Sequence, residues 1–226
     1  MTGPSDVEVI QRISQLAPVP LVPEIRLYQA SDPMAAWHTV EESAGRTGLD
    51  PPFWAVPWAG GQALARYVLD YPETVAGRRV IDIASGSGLV AIAAALAGAM
   101  AVTAYDIDPL AVTAITVNAA ANGVEVAAEC ADILADDARA PDGTDVVLVA
   151  DAFYEKDLGA QVLRYLERSA ARGAQVLAGD FGRAYLPRER LVPLESYLVT
   201  GLFIVEGIDL KSTTIWTLDL PSCSHG

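Results

Sequence analysis

The tightest constraint on this chain lies between Arg79 and Asp106. Arg79–Ala84 is an apolar run broken only by Asp82, Ser85-Gly86-Ser87-Gly88 is a turn of small residues, Leu89–Ala97 is apolar over helical length, and Val102–Ile107 is apolar again. A strand that passes through glycines into a helix and returns as a second strand is a βαβ unit, and such a unit belongs to a parallel sheet. Glycines let the backbone come close to a ligand, and the N-terminus of the following helix offers N–H groups without intrahelical partners. Asp106, with Ile107 beside it, ends the second strand, where a carboxylate accepts hydrogen bonds from two ribose hydroxyls. Gly86-Ser-Gly88-Leu-Val-Ala91 followed by Asp106 also fits the dinucleotide fingerprint, so the unit alone leaves an NAD enzyme open.

The same rhythm continues along the chain. Pro109–Asn122 reads as a helix, with Pro109 in its first turn and Asn122-Gly123 as its stop. Glu125–Ala131 and Asp145–Ala150 read as strands, Asp157–Arg172 as a helix stopped by Gly173, and Gln175–Gly179 as a strand. Glu195–Phe203 and Ser212–Leu220 are strand-like runs with no helix between them, which suits an antiparallel pair closing the sheet. The expected fold is therefore α/β and Rossmann-like. It has a mostly parallel seven-stranded sheet, a C-terminal antiparallel pair and helices on both faces. The ligand crevice of such a sheet lies at the carboxyl ends of its first strands.

The region before this core is organised differently. Asp6–Leu16 has helical periodicity and is stopped by Pro18, Pro20 and Pro23; Glu24–Gln29 reads as a short strand and Pro33–Ala44 as a helix. Leu49–Gly61 is rich in Pro, Gly and aromatics, and irregular backbone carrying large side chains suits the wall of a site. Gln62–Leu69 reads as the first helix of the regular part. The expected division is residues 1–61 as a helical and irregular extension and 62–226 as the catalytic domain, the two forming one unit.

The 226 residues suffice for one such domain, and 29 acidic against 15 basic residues give a net charge of −14. That balance disfavours nucleic acid and anionic lipid as partners and favours a cationic protein face. Leu89–Tyr105 carries no charge, but Gly98 interrupts it and it falls short of the roughly 20 residues of a membrane helix. A buried helix and strand are expected there. Cys130, Cys223, His38 and His225 form no metal-type spacing, so no metal is expected, and reduced thiols point to a cytoplasmic protein. Glu41-Glu42 and Asp136-Asp137 read as solvated faces.

Three features weigh against the NAD reading. Asp82 puts a negative charge near where a pyrophosphate would sit, whereas it suits a cationic cofactor bearing an amino group. The residues after the core are too few for a second catalytic domain. No histidine or Lys/Tyr pair is placed for hydride chemistry. Asp132, at the end of the third strand with Ile133 next to it, is placed to accept an adenine amino group; a solvated turn aspartate is the competing reading.

These residues carry a resemblance. Asp82-Ile-Ala-Ser-Gly86-Ser-Gly88 with Asp106 resembles motifs I and II of the seven-β-strand (class I) methyltransferases. More narrowly, the chain is similar nearly end to end to the electron-transfer flavoprotein β-subunit lysine methyltransferase family. The similarity includes Leu21-Val-Pro-Glu24-Ile25, Phe53-Trp54-Ala-Val-Pro-Trp58-Ala-Gly60-Gly61-Gln62, Asp151-Ala-Phe153-Tyr154, Gly179-Asp180-Phe-Gly182-Arg183 and Ser212-Thr-Thr-Ile-Trp216. It implies S-adenosylmethionine as cofactor, held by Trp58, Gly61, Gln62, Asp82, Ser85, Gly86, Ser87, Gly88 and Asp106. It implies an acceptor-proximal segment from Asp151 to Tyr154, with Asp151 and Tyr154 as the catalytic candidates. The chain departs from the family pattern in Ser87 for a cysteine, in Phe181 for a proline, and in the composition of the helix from Asp157.

The implied chemistry is coherent. Transfer from a sulfonium to an amine is an in-line displacement in which alignment supplies roughly 7–11 kcal/mol. A free lysine has a pKa of about 10.4, so the site must capture the cation and let it lose a proton. Asp151 is expected to bind the ammonium, Tyr154 to hydrogen-bond or stack beside it, and Trp54, Trp58 and Phe153 to exclude water and face the methyl donor. The expected partner is a protein presenting a lysine, electron-transfer flavoprotein β first and a ribosomal protein second. A small-molecule N-methyltransferase acting on a nicotinamide- or amine-like acceptor is the alternative. Helix capping by Asp151 and a surface pair of Asp180 with Arg183 are the structural readings of those residues.

Overall fold

A computed structural model describes residues 5–135, 143–200 and 210–219. Asp136, Asp137, Phe203, Leu220, Cys223 and His225 lie outside them. The chain begins with α1 (Asp6–Ile13), opened by a capping box between Ser5 and Glu8. A hairpin of β1 (Gln15–Val19) and β2 (Val22–Gln29) follows. The helical periodicity to Leu16 therefore overreaches: α1 stops at Ile13, and Pro18 sits in a strand of a two-stranded ribbon, next to a bulge. Proline is tolerated there because the strand has a free edge. Next comes α2 (Pro33–Ala44), capped by Asp32 and ended by Gly45 in a left-handed conformation.

The hairpin is tied to the main body by asparagine. Asn118 Oδ1 accepts from Tyr28 N at 2.9 Å, and Asn122 bridges the N–H and C=O of Arg26. Leu21 N donates to Gln62 Oε1. Sequence reading gave these three side chains no such task.

α3 (Ala59–Asp70) leads into β3 (Arg79–Ile83), α4 (Leu89–Leu96), β4 (Ala101–Asp106), α5 (Pro109–Ala121), β5 (Ala127–Cys130), β6 (Val146–Ala150), α6 (Lys156–Ala171), β7 (Gln175–Asp180), β8 (Leu191–Thr200) and β9 (Leu210–Leu218). The seven-stranded sheet has the order β5-β4-β3-β6-β7-β9-β8. β3 to β7 are parallel, and β9 runs antiparallel between β7 and β8. β8 starts at Leu191 and takes in Pro193 at a bulge, earlier than the expected Glu195.

Alternation along the central strands divides the core. Val80, Val146 and Leu148 pack with α3 and α4, whereas Ile81, Ile83, Val147 and Val149 pack with α6 through Val162, Tyr165 and Leu166. The connections reverse direction between β3 and β6, so their carboxyl ends form the topological switch point where ligands bind. No helix among the described residues is long and apolar enough to cross a membrane.

α3 begins at Ala59, three positions before the expected Gln62. Glycine is a poor helix former, which hid this turn in the sequence. Its use is spatial: a Cβ on Gly60 would overlap the Gly179 carbonyl and lie 2.7 Å from Asp151 Oδ2, and one on Gly179 would lie 3.0 Å from Leu64 Cβ. The glycine pair thus lets the first turn of α3 rest on the carboxyl end of β7. Gly60→Ala is expected to cost about 1–3 kcal/mol through overpacking. Urea unfolding measures this, and parent-like stability would mean that α3 lifts away freely.

Candidate active site

The glycine turn is built from inside. Asp82, 1% exposed, accepts through Oδ2 from Ser85 Oγ at 2.5 Å and Ala91 N at 3.1 Å. Ser85 N donates to Tyr105 O, and Asp106 Oδ2 accepts from Gly86 N at 2.8 Å while its Oδ1 accepts from Asp108 N. Ser87 is buried, and its carbonyl accepts from Asn118 Nδ2. Gly88 takes φ +82° as the N-cap of α4, and a Cβ there would meet Ile115 at 3.2 Å. Gly88 has no side chain to cap α4, so the amides of Leu89 and Val90 are left to the crevice while that of Ala91 is taken by Asp82.

Asp151 stands across the crevice, at the end of β6, with φ +58°. Its Oδ2 accepts from Gly61 N at 2.7 Å and its Oδ1 from Arg183 Nη1. Arg183 also reaches Asp180 Oδ2 at 3.3 Å, and Asp180, fully buried, accepts from Gly182 N and Arg183 N. The Asp151 and Arg183 side chains are each 11% exposed. Burial pushes the Asp151 carboxyl up, against the Arg183 charge and hydrogen bond, which favour ionisation. Asp180 and Arg183 are therefore part of the site rather than a surface turn. Their signal in the sequence was the acid and base bracketing Gly182 directly after a buried strand.

Which aromatics line the site differs from expectation. Trp54 and Phe153 are 1% exposed and belong to the core. The rim is made by Phe53, 46% exposed, Tyr154, 54% exposed, and the half-buried Trp58. Phe53 stands 6.2 Å by ring centroids from both Trp58 and Tyr154. Trp58 Nε1 donates to Phe53 O, which fixes the pair. Burial raises the Tyr154 pKa, with the charges of Glu155, Asp50 and Asp106 adding to it and Arg183 opposing. Tyr154 thus lies within electrostatic reach of both the Asp106 side and the Arg183 side of the crevice.

Several expected cofactor contacts go elsewhere. The Gln62 amide is buried and engaged by Leu21 N and Pro57 O. The Asp82 carboxylate serves the turn and α4 rather than an amino group. Ile133 is 2% exposed in the core against the β3–β6 face, and the exposed Asp132 caps its own turn at Leu134 N and Ala135 N. Gly61, Trp58, Ser85, Gly86, Gly88, Asp106 and the 70% exposed Ile107 stay at the crevice. No cluster of metal-ligating side chains occurs among the described residues.

Comparison with known proteins decides what this crevice belongs to. The chain is 36% identical over 201 residues to the electron transfer flavoprotein beta subunit lysine methyltransferase of Danio rerio, covering 87% of this chain and 76% of that protein. The corresponding human protein is 33% identical over 87% of this chain and 75% of that protein. The chain belongs to this methyltransferase family. The family model "Ribosomal protein L11 methyltransferase (PrmA)" also matches residues 63–154, the stretch from α3 to Tyr154. Among solved structures, a Thermoplasma acidophilum protein shares the fold at TM-score 0.51 and 23% identity, over 68% of this chain and 86% of that one. TrmN of Thermus thermophilus does so at TM-score 0.50 and 21% identity, over 68% and 48%. The protein is a methyltransferase whose methyl donor is S-adenosylmethionine.

The residues fit that donor. Asp106, whose two oxygens accept from Gly86 N and Asp108 N, is half-buried at the carboxyl end of β4, and the surrounding charges are Asp50, Asp108 and Glu155 beside an aromatic rim. Acids and ring faces suit a sulfonium better than a pyrophosphate. Desolvation also raises Asp108, and it raises Asp82 from 3.8 to about 7 despite the Ser85 and Ala91 bonds. An acid whose pKa is raised by folding contributes stability that is full below its unfolded pKa and is lost as pH rises through the folded one. Asp82→Asn keeps an oxygen for Ser85 and Ala91 without the titration. Its stability relative to the parent should therefore rise between about pH 5 and about pH 8, by on the order of a few kcal/mol. Urea unfolding at both pH values measures the difference, and a constant difference would contradict a raised Asp82.

Proposed function

We propose that this methyltransferase modifies the side-chain nitrogen of a lysine on another protein. A subunit like electron-transfer flavoprotein β is the first candidate and a ribosomal protein the second. The observation that carries the reading is the open aromatic rim of Phe53, Trp58 and Tyr154 beside the buried Asp151–Arg183 pair. A rim half exposed at Phe53 and Tyr154 admits a side chain from a macromolecule, whereas a small-molecule site needs a closed cover. The relatives' names, which specify a flavoprotein subunit and ribosomal protein L11, support a protein acceptor. The net charge of −14 favours a basic docking face over nucleic acid or anionic lipid. The exposed free thiol of Cys130 favours a reducing compartment, and the proposed workplace is the cytoplasm.

In this mechanism S-adenosylmethionine supplies an electrophilic methyl group on sulfur. Gly61, Gly86, the first turn of α4, Asp106, Trp58 and Ile107 are the residues that would hold it. Asp151 does not wait as a bare carboxylate. Gly61 N–H and Arg183 keep it ordered and oppose the effect of its burial, and an arriving lysine must share or displace Arg183. Arg183 has Asp180 as a second carboxylate to fall back on. Phe53 and Tyr154 strip water from the acceptor, which helps its ammonium lose a proton to solvent before attack.

Incubation with radiolabelled S-adenosylmethionine and cell extract should label lysine on one or two protein bands; label confined to small molecules would overturn the reading. Asp106→Ala should weaken donor binding in calorimetry by disordering the Gly86 turn. Asp151→Asn should retain donor binding but slow single-turnover transfer by roughly 100-fold through misalignment. Unchanged transfer in that variant would remove Asp151 from the acceptor site.

A further inference from the structure

Lys211 is one of only two lysines in the chain, with Lys156. It occupies the start of β9, three residues before Thr214, which pairs with Asp180 at the carboxyl end of β7. Side chains alternate along a strand, so Lys211 shares a face with Thr213 and Ile215, and Ile215 packs in the core cluster that contains Leu64 and Ala63 of α3. Lys211 thus projects on the α3 side of the sheet, beyond the end of β7. That is the side on which the first turn of α3 meets Asp151. Its Nζ lies 3.3 Å from the centroid of the Phe181 ring. The same ring has the Arg183 guanidinium 4.3 Å from its centroid, and Arg183 is the partner of Asp151. A primary amine of the chain itself is therefore held against the aromatic residue next to the acceptor pair.

We propose that Lys211 is an intramolecular methyl acceptor, modified by the protein's own active site. The proposal rests on the lysine methyltransferase reading and adds a second, internal substrate to it. The Phe181 face is a holding place from which the four-carbon stem swings toward the Phe53–Tyr154 rim, a movement that lysine's flexible chain allows. In the step itself the ammonium first gives a proton to solvent. The Nζ lone pair then forms the new N–C bond as the methyl–sulfur bond breaks, leaving its electron pair on a neutral thioether and the positive charge on the methylated nitrogen. Methylation preserves that charge, so the modified side chain returns to the ring face, where a methylated cation binds at least as well. Phe181 stands where the family resemblance led us to expect proline, and proline offers no such face.

The test uses the purified full-length chain with methyl-deuterated S-adenosylmethionine and no other protein, read by peptide mass spectrometry. The expected result is a deuterated methyl group on the peptide carrying Lys211, at a first-order rate that does not change on dilution. The label should be lost in Lys211→Arg and in the donor-binding variant Asp106→Ala. Label on Lys156 alone, or a rate that falls on dilution, would overturn the proposal. A parallel reaction with cell extract separates its failure from that of the broader reading. Extract proteins labelled at lysine with none on Lys211 defeats only the internal acceptor, whereas label on neither defeats both.

Discussion

The hydrogen bond from Gly61 N to Asp151 Oδ2 joins the two halves of this site. It ties the end of β6 to the first turn of α3, a helix that no side chain of its own segment caps. The carboxylate gains a helix N-terminus in return, where amide and dipole both favour negative charge. The bond is possible only because Gly60 and Gly179 let two backbones touch. Once α3 is seated, Trp58 is fixed at its N-cap, Phe53 is fixed to Trp58, and the rim reaches Tyr154, three residues beyond Asp151. The sequence offered Asp151 as a cap for the helix that follows it, but α6 has Glu155 at its N-cap, and Asp151 instead accepts from the first turn of α3, far earlier in the chain.

Strain marks the same place. Among the described residues, Ala84 and Asp151 are the non-glycine positions with positive φ, at +50° and +58°. They follow β3 and β6, the neighbouring strands at the switch point. Each costs on the order of 1–3 kcal/mol and persists only where its surroundings fix it. They are fixed by backbone bonds to adjacent strands: Ser85 N to Tyr105 O, and Asp151 N to Gly179 O. The strained turns send the chain sharply out of the sheet, so the Gly86 amide faces Asp106 and the Asp151 carboxylate faces α3.

Much of this was legible from periodicity. Strand and helix periods gave the parallel core, the antiparallel close and the crevice at Gly86 and Asp106, because burial on both faces of a sheet writes long apolar runs. What periodicity misses is direction and local partnership. Phe53, Trp54 and Phe153 are equally aromatic, but a single 3-10 turn at Phe53–Ala55 buries Trp54 and exposes Phe53. Gln62 was read as a ligand contact, but the hairpin turn at Leu21 claims its amide. Arg183 looked like surface because its partner Asp151 lies 32 positions away. The first strand was lost for a related reason: Pro18 signals a break in a helix, and nothing local says that a free ribbon edge will accept it.

The buried acids hold the shape of the site, and a second set of acids faces its mouth. Asp82, Asp108 and Asp151 are all pushed up by burial, so each stays ionised only as far as amides or Arg183 stabilise it. Their charge is spent on shaping the turn, on starting α5, and on holding α3. Asp106, at the mouth, keeps one oxygen on Gly86 and the other on Asp108, with Asp50 and Glu155 near the same rim. An acidic, aromatic mouth favours a cation over a neutral molecule of similar shape.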